Sequence, residues 1–280
     1  MRRPALLLAL LLSAVPAGGG EPDPVLAGAE RAFSEGVEAR TDADRARPAF
    51  ARAAAGYDEL WAQGHRTPDL ALARGRAHRL AGALGRSIAA LHDGLAAARF
   101  SRPLQVELDD ARARVLFPTE GELTKQGRPR QARAVSSRMS PADAWLIAGS
   151  LWLAACAAVA RFAMSRNALW LLFSAACVPA LGALAVSWLQ DARQRERDEA
   201  LPLLVLTRDA HVRKGNAAEY PASIEPPLPA GAEVRELSRR GGWVQVQLPG
   251  GLVGWVPEPA TVARGSLRPQ HNGATSAGAE

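Results

Sequence analysis

Cysteine is nearly absent: the 280 residues include two, Cys156 and Cys177, both inside long apolar runs. A disulfide framework or thiolate metal site needs clustered, accessible thiols, so neither is expected and both cysteines read as small apolar residues. The five histidines are scattered, with no His-Glu-x-x-His or similar ligand spacing. A glycine-rich phosphate loop, a nucleophile beside a base, and paired carboxylates in an apolar setting are also missing. No enzyme chemistry and no cofactor is therefore expected. Basic residues outnumber acidic ones, 34 against 28, for a net charge of +6. They are largely intermixed and form no basic face interleaved with aromatics, which argues against nucleic-acid binding. Glycine and proline are not frequent enough for a fibrous or wholly disordered chain, and the length allows about two domains.

Long apolar runs, by contrast, are present. The chain opens MRRPALLLALLLSAVPAGGG: Arg2 and Arg3, then an apolar stretch, then Val15-Pro16-Ala17. This is the pattern of a signal peptide over 1–17, the alternative being an uncleaved anchor. Residues 144–164 and 167–190 read as two transmembrane helices. The short link RFAMSRN makes them a hairpin, so the soluble parts on either side share one compartment. Ala154/Ala158 and Ala176/Ala180, at four-residue spacing, suit close packing of the two helices, and Pro179 is expected to kink the second. Orientation has two opposed signals. The link carries only Arg161 and Arg166, whereas Lys125 to Arg138 and Arg193 to Arg197 flank the outside, which would leave the soluble parts in the cytoplasm. The signal peptide exports them instead, and we take that reading: a bacterial inner membrane protein with both soluble parts on the periplasmic side.

Residues 24–116 are helical by period, with breaks at Pro48, Gly64, Pro68 and Pro103. Asp42 or Asp44 can cap the second helix, and Ala46, Phe50, Ala53, Ala54 and Tyr57 share one of its faces. In the next pair, Gly75, His78 and Gly82 fall on one helix, and Ser87, Leu91 and Gly94 on the following one. The small residues let two antiparallel helices approach, with His78 at their interface. The segment resembles a tetratricopeptide repeat (TPR) array, with His78 where the family has tyrosine, Ser87 and Gly94 where it has alanine, and Leu91 where it has an aromatic. Pro103 to Val115 supplies a last helix, making about five; a plain helical bundle is the alternative. Residues 117–143 read as a polar linker whose basic end can touch acidic headgroups.

Residues 201–264 alternate short apolar strands with glycine turns: LLVL, AHVRKGNAAEY, PLPAGAEVRELSRR, GGWVQVQL, GLVGWVP and ATVAR, five or six strands in all. Strands this short with no helix between them are expected to close into a small barrel. Val244 and Val246 share one face, and Trp243 and Gln245 the other. Gly254 leaves room beside Trp255 for close packing or a bend. Through VRKG, GGWVQV and GLVGWV the segment resembles a bacterial SH3-type domain. Trp243 and Trp255 are either core anchors or part of a recognition surface. Residues 265–280 are expected to be a disordered tail.

The expected fold is thus multidomain: a TPR-like helical array, a transmembrane hairpin and a small all-β SH3-type barrel. That order resembles the BatE family of the Bat aerotolerance group. The resemblance implies a non-enzymatic scaffold working with von Willebrand A-type membrane proteins and a MoxR-type ATPase. Two other readings stand beside it: a peptidoglycan-binding module presented by the barrel, and an accessory subunit of a transporter or sensor.

Overall fold

The computed structural model describes residues 23–128 and 141–264. The expected signal peptide, the middle of the expected linker and the expected tail lie outside the described residues. Among the described residues are eight α-helices and one five-stranded antiparallel sheet.

The first five helices stack in sequence: α1 (Pro24–Glu38), α2 (Ala43–Ala62), α3 (Pro68–Leu80), α4 (Leu84–Ala97) and α5 (Arg102–Ala113). Their starts follow from capping. The Asp42 carboxylate accepts from the backbone N–H groups of Asp44 and Arg45, and Thr67 Oγ1 accepts from Leu70 N–H with Pro68 at the first helical position. Two of the ends follow from glycine. At Gly64 and Gly82, φ is +103° and +85°, and His65 and Ala83 N–H return to the carbonyls of Leu60 and His78. Each is a left-handed helix stop. Pro48, read as a break, lies inside α2. It is exposed near the helix start, so the Asp44 carbonyl left without a partner can face water.

Ala46, Phe50, Ala53, Ala54 and Tyr57 are all buried, as their spacing requires. Burial and the Glu30 carboxylate push the Tyr57 hydroxyl up to about 12, so it stays neutral. A second core unites Ala71, Ile88, Leu91, Leu104 and Leu108 with a residue from far along the chain, Val205.

The sheet comprises β1 (Leu203–Leu206), β2 (Glu233–Arg240), β3 (Trp243–Gln247), β4 (Val253–Pro257) and β5 (Thr261–Ala263), in the order β4-β3-β2-β1-β5. The segment read as a second strand, Ala210 to Tyr220, makes only isolated bridges, such as Ala210 with Leu228 and Arg213 with Ala222 and Trp255. Leu204, Leu206, Val234, Val244, Val246 and Val256 form the core of this β unit. Alternation along β1 turns Val205 the other way, into the helices.

The expected linker is not wholly a linker. Residues Glu122–Gly127 form helix α6, whose Leu123 is fully buried in the core of the β unit, with Phe117 packed against it. Gln126 carbonyl accepts from Gly250 N–H at 2.8 Å. Chain that precedes the apolar hairpin therefore completes a core built from chain that follows it.

Between them stand α7 (Pro141–Ser165) and α8 (Ala168–Ala200), whose stretches Trp145–Ser165 and Ala168–Gln190 are long and apolar enough to cross a membrane. The turn between them uses Arg166 at φ 51°, and Asn167 caps α8 through Leu169 N–H. The seam follows a three-four spacing: Ala148, Leu151, Ala155, Ala158 and Phe162 on α7, Ser174, Cys177, Leu181, Leu184 and Trp188 on α8. Ala158 and Cys177 are buried there. Ala154 is half-buried, but Ala176 and Ala180, expected at the seam, point outward. On a helix that is apolar all round, size alone does not mark the packed face.

Leu123→Ala should cost about 2–5 kcal/mol, the usual range for emptying a filled core site. Thermal unfolding of the purified full chain checks this. An unchanged melt would show that α6 is not part of the core.

Candidate functional site

The predicted repeat-packing residues separate into two kinds. A Cβ on Gly75 would lie 2.6 Å from Leu91 Cδ2, so α3 and α4 approach as they do because position 75 has no side chain. Ser87 Oγ donates to the Gly75 carbonyl at 2.7 Å across the same contact. Gly82 packs against nothing and serves the turn.

His78 sits in a buried ionic cluster that spacing did not reveal. Its Nε2 is 3.0 Å from Asp58 Oδ2. Arg74, 0% exposed, donates through Nε to Asp58 Oδ1 at 2.9 Å, and its Nη1 lies 3.6 Å from Asp93 Oδ2. The guanidinium is 4.7 Å from the Trp61 ring centroid. One helix turn separates Arg74 from His78, which puts both on the face of α3 that meets α2 and α4. This cluster fixes the mutual register of three helices, since removing one charge of a buried group leaves the others uncompensated.

A second cluster lies where helices meet sheet. Arg112 on α5 donates to Glu233 on β2 through Nε at 2.6 Å and Nη2 at 2.7 Å. His92 on α4 brings Nε2 to 3.2 Å from the same carboxylate. Burial alone would raise the Glu233 carboxyl; His92 and the Arg112 hydrogen bonds together outweigh it and hold the group well below the usual carboxylate range. Arg112 loses by desolvation and gains more from Glu233, so its affinity for the proton rises. Around the pair, Val205 and Val262 pack into the helical core. The backbone at Leu206 comes so close to Gly85 that a side chain there would collide with the Leu206 carbonyl.

On the β unit, Val244, Val246 and Val256 face inward, and Trp243 and Trp255 are half-buried on the opposite face, outside the core cluster. Register places Gln245 opposite Trp255 and Trp243 opposite Pro257, so both indoles share the face with Gln245 and Gln247. Gly254 is buried, and a side chain on it would collide with Val212, so its role is close packing. Elsewhere, a groove of about 410 Å³ between α1 and α2 is lined by Gly28, Gly56, Arg31, Glu35, Arg52 and Glu59, with Arg52 and Glu35 paired across it at 2.6 Å. Among the described residues, no group of three or more His, Cys, Asp or Glu side chains is placed to hold a metal.

Because the Glu233 carboxyl is depressed in the folded chain, the stability it contributes is present above its unfolded value, about 4.3, and falls away below that toward the folded value. Glu233→Gln should flatten this acid limb of the stability profile, and Glu233→Ala should cost about 3–5 kcal/mol by leaving the largely buried Arg112 with only the exposed Asp109, 3.8 Å away, as a counter-charge. Denaturant unfolding between neutral and acid pH tests both; an acid limb unchanged in Glu233→Gln would remove this carboxylate as its source. Comparison with protein-family models, curated proteins and solved structures gives no match to this chain.

Proposed function

We propose that this protein is a non-enzymatic adaptor of the bacterial cell envelope, anchored by the α7–α8 hairpin. It binds other membrane proteins through its TPR-like helical array, with an SH3-type β unit docked at the end of that array. The carrying observation is the pairing of a helical stack, whose buried charges face one another inside it as ion pairs, with a hairpin that exposes large apolar side chains such as Trp152 and Leu172 on nearly every side. Structural ion clusters and close glycine contacts account for the array's interior, which leaves its surface for partners. Val106, 61% exposed on α5, and Leu116, 86% exposed just beyond it, are apolar side chains turned to solvent there. The BatE resemblance implies von Willebrand A-type membrane proteins and their MoxR-type ATPase as the partners. The signal-peptide pattern favours the periplasmic side for both soluble parts.

One observation favours a second reading, peptidoglycan binding by the β unit. Trp243 and Trp255 stand half-exposed beside two neutral amides, Gln245 and Gln247, on the face turned away from the core. Indole planes with amides suit a polyhydroxylated ligand as well as a peptide.

Crosslinking from native membranes separates the two. With the adaptor reading, the full chain captures membrane proteins, and Val106→Asp with Leu116→Asp abolishes capture while leaving the melt unchanged. Capture that ignores these substitutions, together with a peptidoglycan pull-down lost in Trp255→Ala, would replace the adaptor by the wall-binding module.

A further inference from the structure

Strand register identifies which end of the β unit meets the hairpin. Leu203 pairs with Arg235, Arg235 with Gln247, and Gln247 with Val253, while Arg264 N–H donates to the Leu203 carbonyl. These residues form one row across the end of the sheet. Helix α8 enters at this row, with only Leu201 and Pro202 between Ala200 and β1. Their carbonyls accept from Arg235 Nη1 at 3.1 Å and Glu236 N–H at 2.9 Å. Helix α6, from which the chain departs toward α7, is fastened to the same end through Gly250 in the β3–β4 turn. Both connections to the hairpin therefore leave from one end.

The chemistry of that end is distinctive. From Leu248 to Val253, the turn and the first residue of β4, the sequence has no charge, and Val253 is 42% exposed. Lys125 on α6, Arg128 just beyond it, and Arg264 at the β5 end of the row are exposed. Of the nearby carboxylates, Glu236 pairs with Arg239 at 2.6 Å, while exposed Glu120 and Glu122, the latter accepting from the neutral Gln126 Nε2 at 2.9 Å, are outnumbered by the three cations. An uncharged turn with an exposed valine, flanked by cations at the same end of the fold, is the chemistry of a protein surface that rests on an anionic bilayer. Distance permits it. Helix α8 continues ten residues past Gln190, about 15 Å of rise. The headgroup layer takes up about 5–7 Å of this, and the remainder is about one Debye length at physiological salt, roughly 8 Å.

We propose that the β3–β4 turn end of the β unit, with Val253 at its tip and Lys125, Arg128 and Arg264 around it, is a contact surface for anionic phospholipid. This rests on reading α7–α8 as a membrane hairpin. The contact would hold the soluble unit in one orientation on the bilayer, with the array directed away from it.

The test uses the full chain in nanodiscs, with Cys156→Ala and Cys177→Ala and an environment-sensitive fluorophore at Val253→Cys or, separately, Leu172→Cys. The discs are phosphatidylcholine alone or phosphatidylcholine with about a third phosphatidylglycerol, each with headgroup-level quencher lipid. The Val253→Cys probe should be quenched in the anionic discs and not in the neutral ones. Each of Lys125→Glu, Arg128→Glu and Arg264→Glu should lower the quenched fraction about fivefold. Salt at about 1 M, where the Debye length is about 3 Å, should do the same to the native charges without any substitution. Quenching at position 172 without any at 253, or equal quenching at 253 in both lipids, overturns the proposal. A probe at 172 that no membrane-depth quencher reaches overturns the hairpin reading, and this one with it.

Discussion

Strand β1 serves two cores at once. Leu204 and Leu206 point into the β unit and Val205 into the helices, a consequence of the two-residue period of an extended chain. The helical stack and the sheet therefore cannot separate without opening a hydrophobic core on each side. The Arg112–Glu233–His92 cluster adds a geometric condition to the same joint. A buried carboxylate is tolerated only while its cations stay in place, so the pair of elements that bring them, α4 and α5, must keep their positions against β2. Hydrophobic contact supplies most of the affinity at such a joint; the charges supply its register.

This joint also answers a problem of size. A stack of five short helices has one open end too many, because each helix pair buries its apolar face only against the next. Here strands β1 and β5 lie against α4, where a further helix pair would otherwise stack. The β unit has a corresponding deficit, since a five-stranded sheet this small encloses little volume, and α6 fills it with Leu123 from upstream. Each part completes the other, and the glycines at 85 and 250 mark where the approach is closest.

What the sequence revealed and what it concealed follow from the same physics. The buried face of α2 was legible because Ala46, Phe50, Ala53, Ala54 and Tyr57 repeat at helical spacing against polar neighbours. So were the strands, because alternation of Val244 and Val246 with glutamines has no helical interpretation. The role of Gly75 was legible and that of Gly82 was not: both are small residues near a helix, but only φ distinguishes a packing glycine from a stopping one. Helix α6 was concealed since a single leucine in a polar, glycine-rich stretch carries no period. Glu233, Arg112, Arg74 and Asp93 were concealed since charged residues are ordinarily on the surface, and their partners are distant in sequence. For Glu233 and Arg112 the separation is 121 positions. An arginine within an alanine-rich face, as in LALARGRAHRL, was the one available hint of a buried pair.

The hairpin is, in these terms, an insertion into a single soluble body. Residues before it (Phe117, Leu123) and after it (Leu204, Leu228) share one core, so both flanks must lie on the same side of any membrane that α7 and α8 cross. An even number of crossings follows from packing, independently of the charge distribution around the apolar runs. Packing does not choose the side. That choice falls to two opposed forces. The arginine-rich flanks resist translocation within a short distance of a membrane span, while the N-terminal apolar run, on the signal-peptide reading proposed above, would commit the first soluble part to export before the hairpin has been made. Because the β unit gives Val205 to the array and receives Leu123 from α6, the part translated last has to follow the part translated first. Whichever segment commits first therefore decides for the whole body, and the N-terminal apolar run precedes every arginine of the flanks.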